Sequence, residues 1–175
     1  MTTVRRIITA ESETGKSFFS HIEEVIPIES HIRHRAIWGW DEDQVLPPRE
    51  GSQFIPTDAF PPSSAKHGVR VSVAEFRPDS DPKNVRNPED EMGKRLITGR
   101  MRERDLDSGM HRTDTIDVIF VIEGEITLEQ DDGEEVTLVK GDCLVQNGAR
   151  HNWSNRTDKP ALLGFVLIAA DRVDT

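Results

Sequence analysis

The chain has one cysteine, no long apolar run and no excess of positive charge, and each absence argues against a class of protein. Cys143 is the single cysteine among 175 residues, so the chain cannot form an internal disulfide. No run of about eighteen apolar residues occurs, so no membrane-spanning helix is expected. The formal net charge of -10 disfavours binding to nucleic acid or to an anionic membrane surface.

The remaining composition fits one ordinary globular domain with a sizeable core. The N-terminal segment MTTVRRIITAESE lacks the apolar stretch of a secretory signal. A lone cysteine also suits a reducing compartment. We therefore expect a cytoplasmic protein with a small-molecule ligand and with no nucleic-acid or membrane partner.

Residues 1–65 are predicted to form an N-terminal arm with strands and loops, packed on the rest of the domain or on a partner subunit. Residues 4–9 and 35–40 are expected strands, whereas residues 18–26 match both the helical and the strand period. Residues 46–66 contain five prolines and are expected to form an ordered loop or a wrapping arm.

Residues 66–175 are predicted to form an antiparallel β-domain. Residues 69–76 (VRVSVAEF) alternate apolar and polar side chains, as a half-buried strand does. Residues 77–95 are polar and interrupted by proline, and connections of this length are often lids. The C-terminal run ALLGFVLIAA is typical of a strand buried on both faces.

The stretch from 111 to 155 reads as short strands joined by tight turns. Asp131-Asp132-Gly133 lies between two alternating segments and indicates a hairpin. Lys140-Gly141 and Asn147-Gly148 supply two further turns. Short strands at this spacing predict an all-β sandwich or barrel.

Two spaced motifs in this region resemble those of the cupin superfamily. Six residues separate Asp117 from Gly124, and six separate Gly141 from Gly148, with His151 and Asn155 following. The resemblance covers roughly residues 105–170 and is narrower for VIEGEITLEQDDGEEVTLVKGD and VQNGARHNWSNR, which are similar to small bacterial and fungal monocupins. Some fungal members are assigned to polyketide pathways as oxidoreductases. The resemblance implies a double-stranded β-helix, or jelly roll, and a homodimer in which N-terminal strands cross to the partner.

The resemblance also implies a metal site, from which this sequence departs. Metal-binding cupins usually offer two histidines, then a glutamate, then a third histidine. Here His111 and His151 fill the outer positions, Asp117 replaces the glutamate, and Thr113 stands in place of the second histidine. Asn147 replaces the usual proline of the second motif.

His111, Asp117 and His151 are accordingly the candidate ligands of a divalent metal ion, which would be Fe, Mn, Ni or Zn. Two imidazoles and a carboxylate form a known mononuclear site that leaves positions open for substrate. For the three side chains to converge, the chain must bend near Asp114 and Thr115, since a regular strand would carry Asp117 too far along. The favoured hypothesis is a metal-dependent, oxidoreductase-like enzyme acting on a small organic molecule.

Two alternatives remain open at this stage. In the first, the cavity contains no metal and binds a ligand, or transfers protons with His151 and Asp117 as the catalytic acid–base pair. In the second, the protein is a dimeric binding or accessory module without catalysis. Thr113, Gln146 and Trp153 are candidate substrate-binding residues under any of these hypotheses.

Several other residues have simpler interpretations. Arg112 or Arg150 could pair with Asp117 without any metal, because an unpaired buried carboxylate is costly. Cys143 is expected to be a packed core thiol. The remaining histidines fall in arm and loop segments, where surface positions are expected, and they are His21, His31, His34 and His67.

Overall fold

The computed structural model describes residues 2–46, 56, 58–96 and 100–173. Most regular structure in these ranges is β-strand, with one short α-helix and a 3-10 turn. Among the described residues, no helix has the length and apolar character needed to cross a membrane. The strands before the helix are β1 (Arg5–Glu11), β2 (Ser17–Glu24), β3 (Ile28–Glu29), β4 (Ile32–Trp40) and β5 (Val69–Phe76).

The remaining elements follow from residue 91 onward. The helix α1 covers Glu91–Leu96. The later strands are β6 (Met101–Arg104), β7 (His111–Thr113), β8 (Thr115–Glu123), β9 (Glu125–Gln130), β10 (Glu135–Val139), β11 (Cys143–Gln146), β12 (His151–Ser154) and β13 (Ala161–Ala169). The predicted turn at Asp131–Gly133 is the 3-10 turn between β9 and β10, where Asp132 has a φ of 60°.

The strands form two antiparallel sheets and a separate hairpin. One sheet has the order β10-β9-β12-β7-β6, and the other has the order β11-β8-β13-β5-β4-β3. A core cluster joins side chains of β8 and β13 from the six-stranded sheet to side chains of β9 and β10 from the five-stranded sheet. The two sheets therefore enclose one interior, as the predicted jelly roll requires.

The alternation of β8 shows how one strand serves both the interior and the surface. Asp117, Ile119 and Val121 are buried, whereas Phe120 and Ile122 are 48% and 43% exposed. Successive side chains of a strand point to opposite faces, so this register turns Asp117 toward the interior. The predicted central strand is β13, which lies between β8 and β5 and buries three consecutive residues from Ala161 to Leu163.

The bend expected near Asp114 is present and moves the chain from one sheet to the other. β7 ends at Thr113 in the five-stranded sheet, and β8 begins at Thr115 in the six-stranded sheet. Asp114 is buried at this corner, where its carboxylate accepts hydrogen bonds from Arg102 and from Nε of Arg172 at 2.8 Å. These two ion pairs fix the corner because the buried carboxylate needs cationic donors.

The N-terminal region divides between the hairpin and the barrel. β1 and β2 pair only with each other, and the segment at 18–26, whose period was ambiguous, is mostly strand. β4 extends from Ile32 to Trp40, beyond the strand expected at 35–40, and pairs with β5. The division into an arm at 1–65 and a barrel at 66–175 stays a prediction, but β3 and β4 already belong to the six-stranded sheet.

Two predicted loops differ in how much the structure describes. For the proline-rich segment at 46–66, residues 47–55 and 57 lie outside the described residues. The long connection at 77–95 is compact and contains the first turns of α1. Its backbone is held by side chains, as when Nδ2 of Asn84 donates to the carbonyl oxygen of Pro78 at 3.2 Å.

Two expectations about individual residues are wrong. Cys143 is exposed and not a packed core thiol, because its position on β11 pairs with Phe120 on the outward register of β8. His34 is 6% exposed and not a surface residue, because β4 is an internal strand of the six-stranded sheet. Sequence position suggested an arm, whereas strand pairing placed His34 in the interior.

Candidate functional site

A cavity of about 140 Å³ opens between the two sheets and contains the candidate site. His111, Asp117, His151, Thr113 and Trp153 all line it. Gln146 does not: its amide donates to the carbonyl oxygen of Ala149 at 3.0 Å. The apolar lining comes from both sheets and from α1, and it includes Phe76, Met92, Leu96, Met101, Ile119, Phe165 and Leu167.

His111 and His151 are neighbours across adjacent strands. Their Cα atoms pair where β7 meets β12, and their ring centroids lie 4.3 Å apart. Nδ1 of His111 lies 2.9 Å from the carbonyl oxygen of Gly109, and Nδ1 of His151 lies 2.8 Å from that of Ala149. A carbonyl oxygen only accepts, so each Nδ1 carries the proton, and each Nε2 has a free lone pair when the ring is neutral.

Burial keeps both imidazoles neutral. It lowers the pKa of His111 to about 3, and the nearby His151 contributes further. Burial also lowers the pKa of His151, against the opposing effect of its hydrogen bond to Ala149. Two closely spaced neutral imidazoles with free Nε2 atoms are a pair of potential metal ligands or proton acceptors.

Asp117 lines the same cavity but belongs to the other sheet. It lies on β8, whereas both histidines lie in the five-stranded sheet. Burial raises the pKa of its carboxyl group to about 7, and a hydrogen bond from Thr115 opposes this shift. Oδ1 of Asp117 is buried without a hydrogen-bond partner among the described residues.

The two arginines that could have paired with Asp117 form ion pairs with other residues instead. Arg112 forms an ion pair with Glu103 at 2.5 Å. Arg150 pairs with Asp131 at 2.7 Å. Both arginines are more than a third exposed, because they alternate with inward-facing residues at 111 and 151.

The three candidate metal ligands share a cavity without forming a compact cluster. Within the described ranges, no group of three or more His, Cys, Asp or Glu side chains is arranged to hold a metal ion. The histidines are in contact, and Asp117 approaches from the opposite sheet with a side chain one carbon shorter than the glutamate it replaces. The structure therefore brings His111 and His151 into contact and leaves Asp117 apart from them on the other sheet.

Thr113 and Trp153, the two candidate substrate-binding residues that line the cavity, differ in their contacts with neighbouring side chains. Thr113 is 1% exposed, and its hydroxyl lies 2.8 Å from that of Thr115, so it is already hydrogen-bonded. Trp153 packs edge-on against His151, with ring centroids 6.0 Å apart. The indole thus forms a wall beside the histidine pair, where it can contact an apolar ligand.

Sequence reasoning missed five basic residues of the cavity, namely His31, His34, Arg77, Arg86 and Arg104. Burial lowers the pKa of His31 to about 4, with Arg86 as the next largest cause. Arg86 comes from the 77–95 connection, so this segment supplies part of the cavity wall. A basic residue in a polar loop gives no sequence signal of this placement, which depends on how the loop folds back.

Comparison with known proteins identifies the barrel. Residues 100–168 match the family model of the cupin domain. This part of the chain is similar to a cupin domain. The match contains both motifs with His111, Asp117 and His151, and it confirms the resemblance seen in the sequence.

The same region also matches curated fungal proteins. It is 49% identical over 69 residues to phomopsin biosynthesis cluster protein C' of Diaporthe leptostromiformis, covering 39% of this chain and 36% of that protein. It is 42% identical over 60 residues to the cupin-domain-containing oxidoreductase virC of Hypocrea virens, covering 34% and 31%. The chain thus matches about a third of the length of these relatives.

Solved structures resemble the chain more distantly. A crystal structure of a putative ethanolamine utilization protein Q from Salmonella typhimurium aligns with 98% of this chain and 100% of its own, at 9% identity. Its TM-score of 0.43 is too low to carry an argument.

Proposed function

We propose that the chain binds a small organic molecule between the sheets of its cupin domain and carries out chemistry on it as an oxidoreductase. The observation that carries this proposal is the contact between two neutral imidazoles, His111 and His151, on the wall of a largely apolar cavity. The Hypocrea virens relative is named an oxidoreductase, which supports the reaction class. Enclosure by apolar side chains supports an organic substrate.

A divalent metal ion is the cofactor that the cupin resemblance implies, and the donor chemistry fits it. In metal-binding histidines, the N–H group of the second ring nitrogen typically donates a hydrogen bond to a carbonyl or carboxylate group, and Nδ1 of both His111 and His151 lies at a carbonyl oxygen in this way. The buried Oδ1 of Asp117 lacks a partner that a cation would provide. His111 and His151 would hold Fe, Mn, Ni or Zn through Nε2, with Asp117 as the third candidate ligand.

Such an ion would supply redox or Lewis-acid chemistry, while the chain's residues prepare its surroundings. The carbonyl groups of Gly109 and Ala149 fix the ring orientations and the protonated nitrogen. Burial keeps the imidazoles neutral, so their Nε2 atoms stay available at neutral pH. Trp153 and Phe165 exclude water from one side and orient the apolar part of the substrate.

Metal analysis of protein purified without a histidine tag tests the proposal. We expect close to one equivalent of metal in the wild type and a large loss in His111→Ala and His151→Ala. His67→Ala is the matched control, because His67 is 71% exposed and lies outside the cavity lining. Substoichiometric metal in the wild type, or equal metal in His151→Ala, would rule out the metal-dependent function.

Proton transfer without a metal is the second candidate, and the state of Asp117 favours it. A carboxyl group with a pKa near 7 can both donate and accept a proton at neutral pH. Neutral His151 in the same cavity can serve as its counterpart. In this case the purified protein lacks metal, and Asp117→Asn abolishes activity while the variant still binds the same ligand.

A further inference from the structure

Two arginine side chains line the cavity beside the histidine pair. Arg104 ends β6 and is the Cα partner of His111. Arg86 reaches in from the 77–95 connection and donates from Nη2 to Oδ1 of Asn152 at 3.1 Å. Asn152 directly follows His151, so both guanidinium groups lie close to the proposed reaction site.

Neither guanidinium forms an ion pair with a carboxylate among the described residues. Arg77, which also lines the cavity, differs because it pairs with Glu29 at 2.6 Å. Asp90 acts on Arg104 electrostatically, but its own oxygens accept from Oγ of Ser30 and from the backbone of Gly93, both at 2.6 Å. Arg86 and Arg104 are therefore cationic donors without a direct carboxylate partner among the described residues.

This local excess of positive charge contrasts with the chain as a whole, whose formal net charge is -10. Arg86 and Arg104 also repel each other: burial and Arg86 together lower the pKa of Arg104. Burying two neighbouring cations without paired carboxylates lowers the stability of the fold, and a bound anion would offset this cost.

The backbone near the histidines is shaped to hold one of these cations. Gly109 has a φ of +81°, and a Cβ atom there would lie 2.5 Å from Cζ of Arg86 and 2.6 Å from Oδ1 of Asn152. The ends of the Arg86 and Asn152 side chains would have to be displaced by a Cβ atom at Gly109. The same residue accepts the hydrogen bond from His111, so the arginine and the imidazole are positioned by one turn.

Much of the remaining cavity lining is apolar. Met92, Leu96, Met101, Phe165 and Leu167 line it and belong to one packed cluster. A ligand that matches both the arginines and this apolar lining has an apolar body and one anionic group.

We propose that the ligand is a small organic anion whose carboxylate or phosphate group binds Arg86 and Arg104 while its apolar body faces Phe165 and Leu167. This proposal rests on the proposed function insofar as the ligand occupies the same cavity. It places the atoms next to the anionic group beside His111 and His151, where the chemistry would occur.

Calorimetry with three six-carbon probes tests the proposal: hexanoate, hexyl phosphate and the neutral hexanamide. An anionic probe should bind wild-type protein about tenfold or more tightly than hexanamide, since hydrogen bonds to charged groups are worth about 1.5–3 kcal/mol. The tighter of the two anions identifies the group that the site prefers. Inorganic phosphate serves as the comparison for charge without an apolar body.

Arg86→Gln and Arg104→Gln should each weaken the anionic probe about tenfold and leave hexanamide unchanged. Arg156→Gln is the control, because it removes the same charge from an exposed ion pair with Glu135, outside the cavity lining. Hexanamide binding as tightly as both anions to wild-type protein would overturn the anion proposal and leave the cavity function standing. Absence of binding by all three probes would overturn both. The wild-type comparison decides even if a variant fails to fold.

Discussion

The pH dependence of folding stability in Asp117→Asn tests directly whether the Asp117 carboxyl group is buried without a partner in the cavity. Asp117 is 5% exposed, and its Oδ1 has no partner within the described structure. Asparagine has nearly the same shape but no charge. The substitution therefore removes only the cost of burying an ionised carboxylate, together with a pH-independent effect of the new amide group.

The size and sign of the effect follow from the pKa of Asp117. Burial raises this pKa from 3.8 to about 7, which corresponds to roughly 4 kcal/mol. Below about pH 4 the carboxyl group is protonated in both the folded and unfolded states and carries no penalty. As the pH rises toward 7, the unfolded state ionises first, so the folded state loses stability. Above pH 7 the loss is complete and constant.

Urea unfolding of metal-free protein, followed by tryptophan fluorescence, measures this effect at about pH 4.5 and pH 8.5. The free energy of unfolding of Asp117→Asn relative to wild type should increase by about 3–4 kcal/mol between the two pH values. Asp158→Asn, at an exposed position, is the control and should show no such change. A difference between Asp117→Asn and wild type that is the same at both pH values would refute the burial of an unpaired carboxyl group.

Three further predictions concern other parts of the molecule. In urea titrations, Gly109→Ala should lower the free energy of unfolding by about 2 kcal/mol more than Gly15→Ala. Both glycines have positive φ, but only an alanine at position 109 would contact Arg86. Burial lowers the pKa of His34 to about 4, so between pH 6.5 and 4 mainly the unfolded state gains a proton on this side chain. His34→Leu should therefore reduce the loss of folding stability over that pH range by up to about 3 kcal/mol, and an unchanged acid transition would contradict this. The homodimer stays a prediction, supported by Ile7, Phe19 and Ile22, which share one face of the β1–β2 hairpin and are 49%, 65% and 58% exposed. Phe19→Ser should shift the dimer toward monomer in light scattering, and a monomeric wild-type protein would contradict the prediction.

Much of the barrel was predictable because its signals are local. The alternation of residues 69–76 and 125–130 matches β5 and β9. The turns at Gly133, Gly141 and Gly148 all have positive φ, as glycine at tight turns often does. The two motifs around Asp117 and His151 resemble those of cupins, and the family match over residues 100–168 confirms this resemblance.

The burial of individual residues was harder to predict, because it depends on distant strands. Cys143 looked like a core thiol, yet the register of β11 against β8 turns it outward. His34 looked like an arm residue, yet β4 pairs with β5 and turns it into the cavity. A shift of one residue in the register of β11 would reverse the outcome for Cys143, and the same shift in β4 would reverse it for His34.

The sequence alone determined the domain type and the identity of the candidate ligands, since turn residues, strand periodicity and motif spacing are all written along the chain. Tertiary structure alone decided which groups meet. It brought His111 into contact with His151 through strand pairing, left Asp117 on the opposite sheet, and folded Arg86 back from a distant loop to the same cavity. Contacts of this kind join residues far apart in sequence, and only the packing of two sheets around one interior specifies them.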